Sequence, residues 1–437
     1  MSNLNLQKLS ELCTLYSGGT PSTSNESYWN GNLNWMSSGE TSNKLIYGTK
    51  LKISEKGVAE SSTRLAHSGD TVVATAGEGK TRGQTSYLLT DTYVNQSIVV
   101  LEADKTKIDN KFLFYAVSNS YNRMRALSDA AGIRGSLPCK LLNNFEINTF
   151  NLDIENKIGQ FLFNIDLKIE NNNKINAELE SLAKTIYDYW FLQFEFPNEE
   201  GKPYKSSGGK MVWNEELKRE IPEGWKNGNL YDIAEFTNGL ACQKHRPIKN
   251  NQRLPVIKIR EMHNGFTSET EWVRDDIPQK YVIDDGDILF SWSATLETII
   301  WTGGQGALNQ HIFKVSEKNC AKYYVFMQLA EYVKNFVAMA EARKTTMGHI
   351  TSDHLNQSRV VLPCTKVIDS FEQKVTPLFP SIIKNKQESI ELSKLREFLL
   401  PLLMNGQVGF IENEVTIHSR PVGMTSQAGI SPLPDRV

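Results

Sequence analysis

The stretches YVNQSIVVLEADK (residues 93–105) and ALNQHIFKVSEKN (307–319) are written on one plan, 214 positions apart. Three more pairs share it. LSELCTLYSGG (9–19) matches LYDIAEFTNGL (230–240), and SGDTVVATA (68–76) matches DGDILFSWS (285–293). LNNFEINTFNLDIENKIGQF (142–161) matches LNQSRVVLPCTKVIDSFEQK (355–374). From first pair to last the offset drifts one way, 221 to 213, as it would if two copies of a module differed in loop length. The chain therefore reads as a duplication.

Each copy opens with short β-type runs (TVVATA, SIVVLEA; DILFSWSA, HIFKVS), turn residues and short helices, FLFYAVSNSYNRMRAL in one and YYVFMQLAEYVKNFVAM in the other. A long amphipathic helix closes it. The first stripe runs Ile154, Ile158, Phe161, Ile165, Ile169, Leu179, Leu182, Ile186 and Tyr189, interrupted by Asn171–Asn173 and Asn176. The second runs Val367, Phe371, Val375, Leu378, Ile382, Leu392, Leu395, Leu399 and Leu403, with Pro377 and Pro380 expected to kink or divide it. At 1.5 Å per residue each helix spans ~60 Å, too long to bury its stripe against a domain at one end. The economical solution pairs the two as an antiparallel coiled coil; the other folds each helix back on its own module. In the paired form the candidate seam residues are Ile158, Ile165, Ile169, Leu179 and Ile186, facing Phe371, Leu378, Ile382, Leu392 and Leu399. The asparagines would fix register at some cost in stability. PNEEGKPYKSSGGKM (197–211) then begins an exposed tether reaching Ile221.

The 437 residues exceed one average domain, and 40% hydrophobic with 22% charged content is ordinary for a globular chain. The N-terminus lacks a signal-peptide pattern, and no apolar run approaches a membrane span. Cys13, Cys139, Cys242, Cys320 and Cys364 are scattered, which is cytosolic usage without a disulfide framework or zinc site. A net charge of −2 argues against a general polyanion binder, so any nucleic-acid face must be local or shared with a partner.

Catalytic signatures are missing: no GxSxG, no HExxH, no glycine-rich adenosylmethionine fingerprint and no Asp/Asn-Pro-Pro motif for base methylation. ATAGEGKT (74–81) fits a relaxed phosphate loop, which would make Lys80 a nucleotide ligand. However, RGQTSYLLTDTYV follows it and reads as a strand rather than a helix, so a β-hairpin tip is expected. The positive signal is charge placement. From Phe236 to Arg260 the chain carries Lys244, Arg246, Lys249, Arg253, Lys258 and Arg260 and no acid. Such groups contact phosphates, and Arg, Asn and Gln read base edges. Further candidates precede each long helix: Arg123, Arg125, Arg134 and Lys140 in the first copy, and Arg343, Lys344, Thr345 and His349 in the second. Lys80 and Arg82 at the hairpin tip join them. Asn95-Gln96 and Asn309-Gln310 recur and suit either structural hydrogen bonding or base contact.

YDYWF (187–191) followed by FEFPNEEGKPYKSSGGKMVWNEELKREIPEGW (194–225) resembles the central spacer of the specificity subunit of type I restriction-modification systems. SGGTPSTSNESYWNGNLNWMSSGE (17–40) and LYDIAEFTNGL resemble the openings of that family's target-recognition domains, and the likeness extends to about Gly406. The resemblance implies an α+β chain of two tandem mixed α/β recognition domains, at 1–150 and 222–362. They are separated by spacer helices at 151–196 and 363–406, with a linker at 197–221; the tail at 407–437 departs from the family, and its Ser/Gly/Pro-rich composition reads as disordered. The resemblance also implies a noncatalytic cytoplasmic subunit that reads a split site on double-stranded DNA and docks methyltransferase subunits, two by the symmetry of the plan. Restriction/translocase subunits join through the complex. S-adenosylmethionine, ATP and Mg would bind those partners and not this chain. The alternative is a coiled-coil scaffold that binds only proteins.

Overall fold

The computed structural model describes residues 4–77, 79–130, 136–248, 253–342, 350–411 and 414–417. Two compact units result: Met1–Leu167 with Ser393–Val437, and Lys168–Leu392.

In the first unit a five-stranded sheet runs in the order Cys13–Ser17, Ile98–Ala103, Thr71–Ala74, Thr85–Leu88, Leu45–Ile46. A second sheet runs Leu51–Ile53, Trp29–Met36, Thr92–Val94, Arg64–Ala66, and its middle pair is parallel. Asn5–Lys8 pairs with Glu146–Thr149. Every residue of Thr71–Ala74 and Thr85–Leu88 is buried, which explains runs such as TVVA that are apolar without alternation. Helix Asn110–Asn119, capped by the Asp109 carboxylate accepting from Phe112 N at 2.8 Å, buries Phe112–Val117 in the same core as these strands.

The second unit repeats these pairings, except that the edge strand Leu45–Ile46 has no counterpart among its described strands. One of its two four-stranded sheets runs Ala234–Asn238, Ile312–Glu317, Ile288–Ser291, Glu297–Ile300. The other runs Trp272–Arg274, Arg253–Ile257, Gly306–Leu308, Val282–Ile283, again with its middle pair parallel. Lys226–Gly228 pairs with Val360–Leu362. Even one tight approach recurs. A Cβ on Gly18 would lie 1.9 Å from the Val94 carbonyl oxygen, and one on Gly239 2.0 Å from that of Asn309. The duplication seen in sequence is thus a duplication of strand order, and glycine recurs because backbone occupies the place of a side chain.

The long helices divide between the units. Helix Leu152–Tyr187 contributes residues up to Leu167 to the first unit. There Ile158 and Leu162 share a core with Leu399, Leu403 and Met404. Buried Asp166 accepts from Tyr115 Oη at 2.6 Å and pairs with Arg396, while Asn148 Nδ2 donates to the Met404 carbonyl, so the helix segments run antiparallel. In the second unit the segment after Lys168 lies antiparallel to helix Leu378–Met404 up to Leu392. Asn172 Nδ2 donates to Glu388 Oε2 at 2.8 Å, Asn176 Nδ2 donates to the Ile382 carbonyl at 3.2 Å, and Asn385 Nδ2 donates to Asn176 Oδ1 at 3.0 Å. Asn172 and Asn176 are both buried. Ile165 and Ile382 are buried, while Ile169, Leu179, Ile186, Leu378 and Leu392 are half-buried. Leu182, Tyr189 and Leu395 are exposed, so the stripe read from sequence is wider than the face that packs; Ala183 and Tyr187 are buried instead. Phe371 lies on a separate helix, Thr365–Val375, with its ring 5.0 Å from that of Phe191. Thr376 and Pro377 form the break, and Pro380 falls in the first turn of the next helix, where its missing N–H costs nothing.

Two expectations are corrected. Residues 197–221 are not a loose tether. Phe196 stacks between Tyr204 at 4.6 Å and Trp225 at 5.0 Å, and Met211–Asn214 pairs with Arg219–Pro222, burying Ile221. Aromatic spacing inside a polar stretch made this segment look solvated. Likewise Val408–Ile411 and Glu414–Ile417 form a hairpin, so the tail is ordered there; 418–437 lie outside the described residues.

Candidate nucleic-acid interface

In each unit three chain segments converge at one end of the sheet that holds Thr71–Ala74 in the first and Ile288–Ser291 in the second. In the first, the tip between Thr71–Ala74 and Thr85–Leu88 meets the turn Asn95–Ser97 through Thr75 N donating to the Ser97 carbonyl at 2.8 Å. It meets the segment after helix Tyr121–Ala130 through Leu137 N donating to the Thr75 carbonyl at 2.8 Å. In the second, Trp292 N donates to the His311 carbonyl at 3.3 Å and Ile350 N to the Trp292 carbonyl at 3.0 Å. The arrangement is the same, built from counterpart segments.

The hairpin expected at 74–81 is present. Thr71–Ala74 and Thr85–Leu88 are antiparallel neighbours, and the described residues between them start no helix that would cradle a phosphate. Lys80 is exposed at the tip. The tip is braced from behind: Tyr121 Oη donates to the Lys80 carbonyl at 2.8 Å, and Arg125 Nη1 to the Gly79 carbonyl. Arg82 does not face outward. It is 4% exposed, bonded to Ser128 Oγ at 3.0 Å and Asp129 Oδ1 at 2.7 Å, and is corrected from a DNA contact to a brace. Arg123 is exposed, donating to the Glu146 carbonyl and lying 4.8 Å from the Phe145 ring. Lys140 is exposed on the short helix Cys139–Asn143. Arg134, Lys249, Arg343, Lys344, Thr345 and His349 lie outside the described residues.

The cationic stretch of the second unit divides. Lys244 and Arg246 are exposed on the loop leaving the Leu240–Asn309 bridge, and exposed Arg253 lies 4.6 Å from the Trp272 ring. Lys258 instead bonds Glu271, whose carboxyl it holds below the usual range. Arg260 donates to Glu261 Oε1 at 2.8 Å and Glu269 Oε2 at 2.9 Å. Both are ion-paired with acids just beyond the acid-free window, which lowers the net positive charge of this stretch.

The Asn-Gln pairs resolve into two jobs. Asn95 and Asn309 are each 8% exposed, and their backbone N–H groups donate to the carbonyls of Met36 and Ile257, the counterpart strand ends. Gln96 is exposed and accepts from the Thr20 hydroxyl, while Gln310 is half-buried beside His311. Sequence reasoning missed Thr20, Asn238, Trp292 and His311. Trp292 Nε1 donates to Asn238 Oδ1 at 3.1 Å and its ring lies 5.5 Å from that of His311. The DGDILFSWS repeat held the signal: its tryptophan falls just past a buried strand, at a hairpin tip.

A family model described as type I restriction modification DNA specificity domain matches residues 1–181 and 222–391. The specificity subunit of the type I enzyme MjaIX from Methanocaldococcus jannaschii is 25% identical over 428 residues, 92% of this chain and 93% of that protein. The HindI specificity subunit from Haemophilus influenzae is 22% identical over 391 residues, 75% and 84%. Among solved structures, a type I restriction-modification S subunit from M. genitalium superposes with a TM-score of 0.59 at 14% identity. It covers 92% of this chain and 96% of the other, which shows a shared fold. Among the described residues, no helix is long and apolar enough to cross a membrane, and no cluster of His, Cys, Asp and Glu could hold a metal.

Proposed function

The chain belongs to the type I restriction-modification specificity-subunit family, a noncatalytic DNA-specificity component with two target-recognition domains, and from that premise we propose how it divides the work. Each unit reads one half of a bipartite duplex site through the end of the sheet where the three segments converge. Lys244, Arg246, Arg253, Lys80, Arg123 and Lys140 contact phosphates, and residues of the converging turns meet base edges. Residues 1–150 and 222–362 act as the recognition domains. The paired helices set the distance between half-sites, about one helical turn or ~34 Å, and dock two methyltransferase subunits. Those subunits carry S-adenosylmethionine chemistry, and restriction/translocase subunits that use ATP and Mg join through the complex in the cytoplasm. A near-neutral chain suits this division, since partners can supply phosphate-binding charge.

The observation that carries the reading is the repetition of one strand order with one three-segment convergence in both units. Selection from a randomised duplex pool, with and without the methyltransferase partner, tests it. A motif of two separated blocks is expected, and an unenriched pool refutes it in favour of a protein-binding scaffold. Replacing 222–362 by a relative's segment should change one block only; a change in both refutes modular readout.

A further inference from the structure

We infer that Gln96 reads an adenine of the half-site recognised by the first unit, and that Thr20 is the residue that positions it. The inference rests on the functional reading above and adds to it one base, one groove edge and the side chains that meet it.

Gln96 stands on the turn Asn95–Ser97, one of the three segments that converge in this unit. It is the exposed residue of that turn, Asn95 being buried and Ser97 half-buried. The turn is fixed from beneath. Asn95 N donates to the Met36 carbonyl at 3.1 Å, Asn95 Oδ1 accepts from Ser97 N at 3.0 Å, and the Asn95 carbonyl accepts from Ile98 N at 3.3 Å. Thr20 is fixed as firmly, since it follows the close approach at Gly18, and Gly19 N donates to the Val94 carbonyl at 3.1 Å. The Thr20 hydroxyl donates to Gln96 Oε1 across 76 positions of chain. With one oxygen lone pair taken, the amide keeps a second lone pair and both N–H groups, and these have no partner among the described residues.

An amide edge that offers one acceptor beside one donor matches one base in the major groove: adenine, whose N6 donates and whose N7 accepts. Guanine presents two acceptors there, and cytosine and thymine a single hydrogen-bonding group each. Because Thr20 already holds the side chain, less rotamer freedom is lost when the contact forms. The second unit shows what this fixing depends on. Leu240 N donates to the Leu308 carbonyl at 2.8 Å, as Gly19 N does to that of Val94, which puts Ala241 where Thr20 stands. Alanine has no hydroxyl to give. The counterpart glutamine, Gln310, is half-buried, with Nε2 3.3 Å from His311 Nε2. The same residue is thus held open in the first unit and engaged by a neighbour in the second, so two copies of one fold need not read the same base.

The test uses 7-deazaadenine, which replaces N7 by a C–H group and leaves base pairing intact. The complete complex first selects its bipartite motif, and the block left unchanged by the 222–362 exchange is assigned to the first unit. Each adenine of that block, on either strand, is then replaced in turn. Binding should fall about fivefold at one position, the low end for a bidentate contact. Gln96→Ala should bind the parent duplex more weakly and no longer distinguish adenine from 7-deazaadenine there. Thr20→Val should narrow the same ratio and Thr20→Ser should keep it, with preference at the other block unchanged in every variant as the control for folding. A block without adenine, equal binding to every substituted duplex, or an unchanged ratio in Gln96→Ala overturns the inference while leaving the bipartite reading intact. An unchanged ratio in Thr20→Val overturns the positioning role. Absence of any selected motif overturns both readings.

Discussion

Replacing Arg396 with Met should destabilise the first unit by about 3 kcal/mol. The Arg396 side chain is 11% exposed and that of Asp166, its partner, 4%. Removing one member of a buried pair costs about 3–5 kcal/mol, because the other keeps its charge without its compensation. Here Tyr115 Oη still donates to Asp166 at 2.6 Å and Lys44 Nζ stands 3.9 Å away, which places the cost at the lower end. The cost belongs to the orphaned carboxylate rather than to the loss of an attraction. The triple replacement Arg396→Met, Asp166→Leu, Tyr115→Phe removes every buried polar group that would be stranded, while the Lys44 side chain, 43% exposed, can turn to water. It should recover to within about 1 kcal/mol of wild type. Urea titration followed by far-UV circular dichroism, with an m-value of about 2 kcal/mol/M, should show the single variant's midpoint shifted by about 1.5 M. Hydrogen exchange across 152–167 should place the loss in this unit. A single variant as stable as wild type, or a triple variant no better than the single, refutes the reasoning.

Glu155 is fully buried, and burial lifts its carboxyl to about 7, against the N–H bonds from Phe150 and Asp109. The fold therefore holds a proton that the unfolded chain has already released, so stability falls as pH rises from 4.5 through 7, by about 3 kcal/mol. Glu155→Gln should flatten that slope in urea titrations at pH 5 and 8; an unchanged slope refutes it. Asn172 is 1% exposed; its Oδ1 lacks a hydrogen-bond partner among the described residues while its Nδ2 donates to Glu388, so Asn172→Leu trades one bond against relief of a stranded oxygen and should change thermal stability by less than about 1 kcal/mol. Asn176→Leu strands Asn385 and the Ile382 carbonyl and should cost about 1–2 kcal/mol; the opposite order in melting temperature would be disproof. Arg82→Ala should cost about 1–2 kcal/mol, from the lost buried bond to Ser128 and lost packing, since Asp129 is 62% exposed, whereas Lys80→Ala should stay within about 0.5 kcal/mol in the same denaturation assay. Equal effects would return Arg82 to the surface.

Much of the fold is legible in sequence because it is set by local period. Alternating and wholly apolar runs mark strands, and a three–four spacing marks the long helices. Copying preserves both, so Gly18 and Gly239, or Asn95 and Asn309, align by residue order alone. Pro377 announces the break between Val375 and Leu378 for an equally local reason: it lacks an N–H to donate. The candidate site was less legible. A window from Phe236 to Arg260 holds no acid, yet Arg260 is ion-paired with Glu269 and Lys258 with Glu271, one strand away. Arg82 finds Asp129 across 47 positions of chain.

The amino-acid order by itself determined that one module is present twice, that each copy feeds a long amphipathic helix, and that asparagines interrupt the apolar stripe, because repetition and helical period involve neighbours only. Tertiary structure alone decided which cations remain available, that the central segment packs on Phe196 and Trp225, and that Trp292 stands at a tip beside His311. Those outcomes depend on which distant groups share a low-dielectric space once the strands have paired, and no local pattern encodes that.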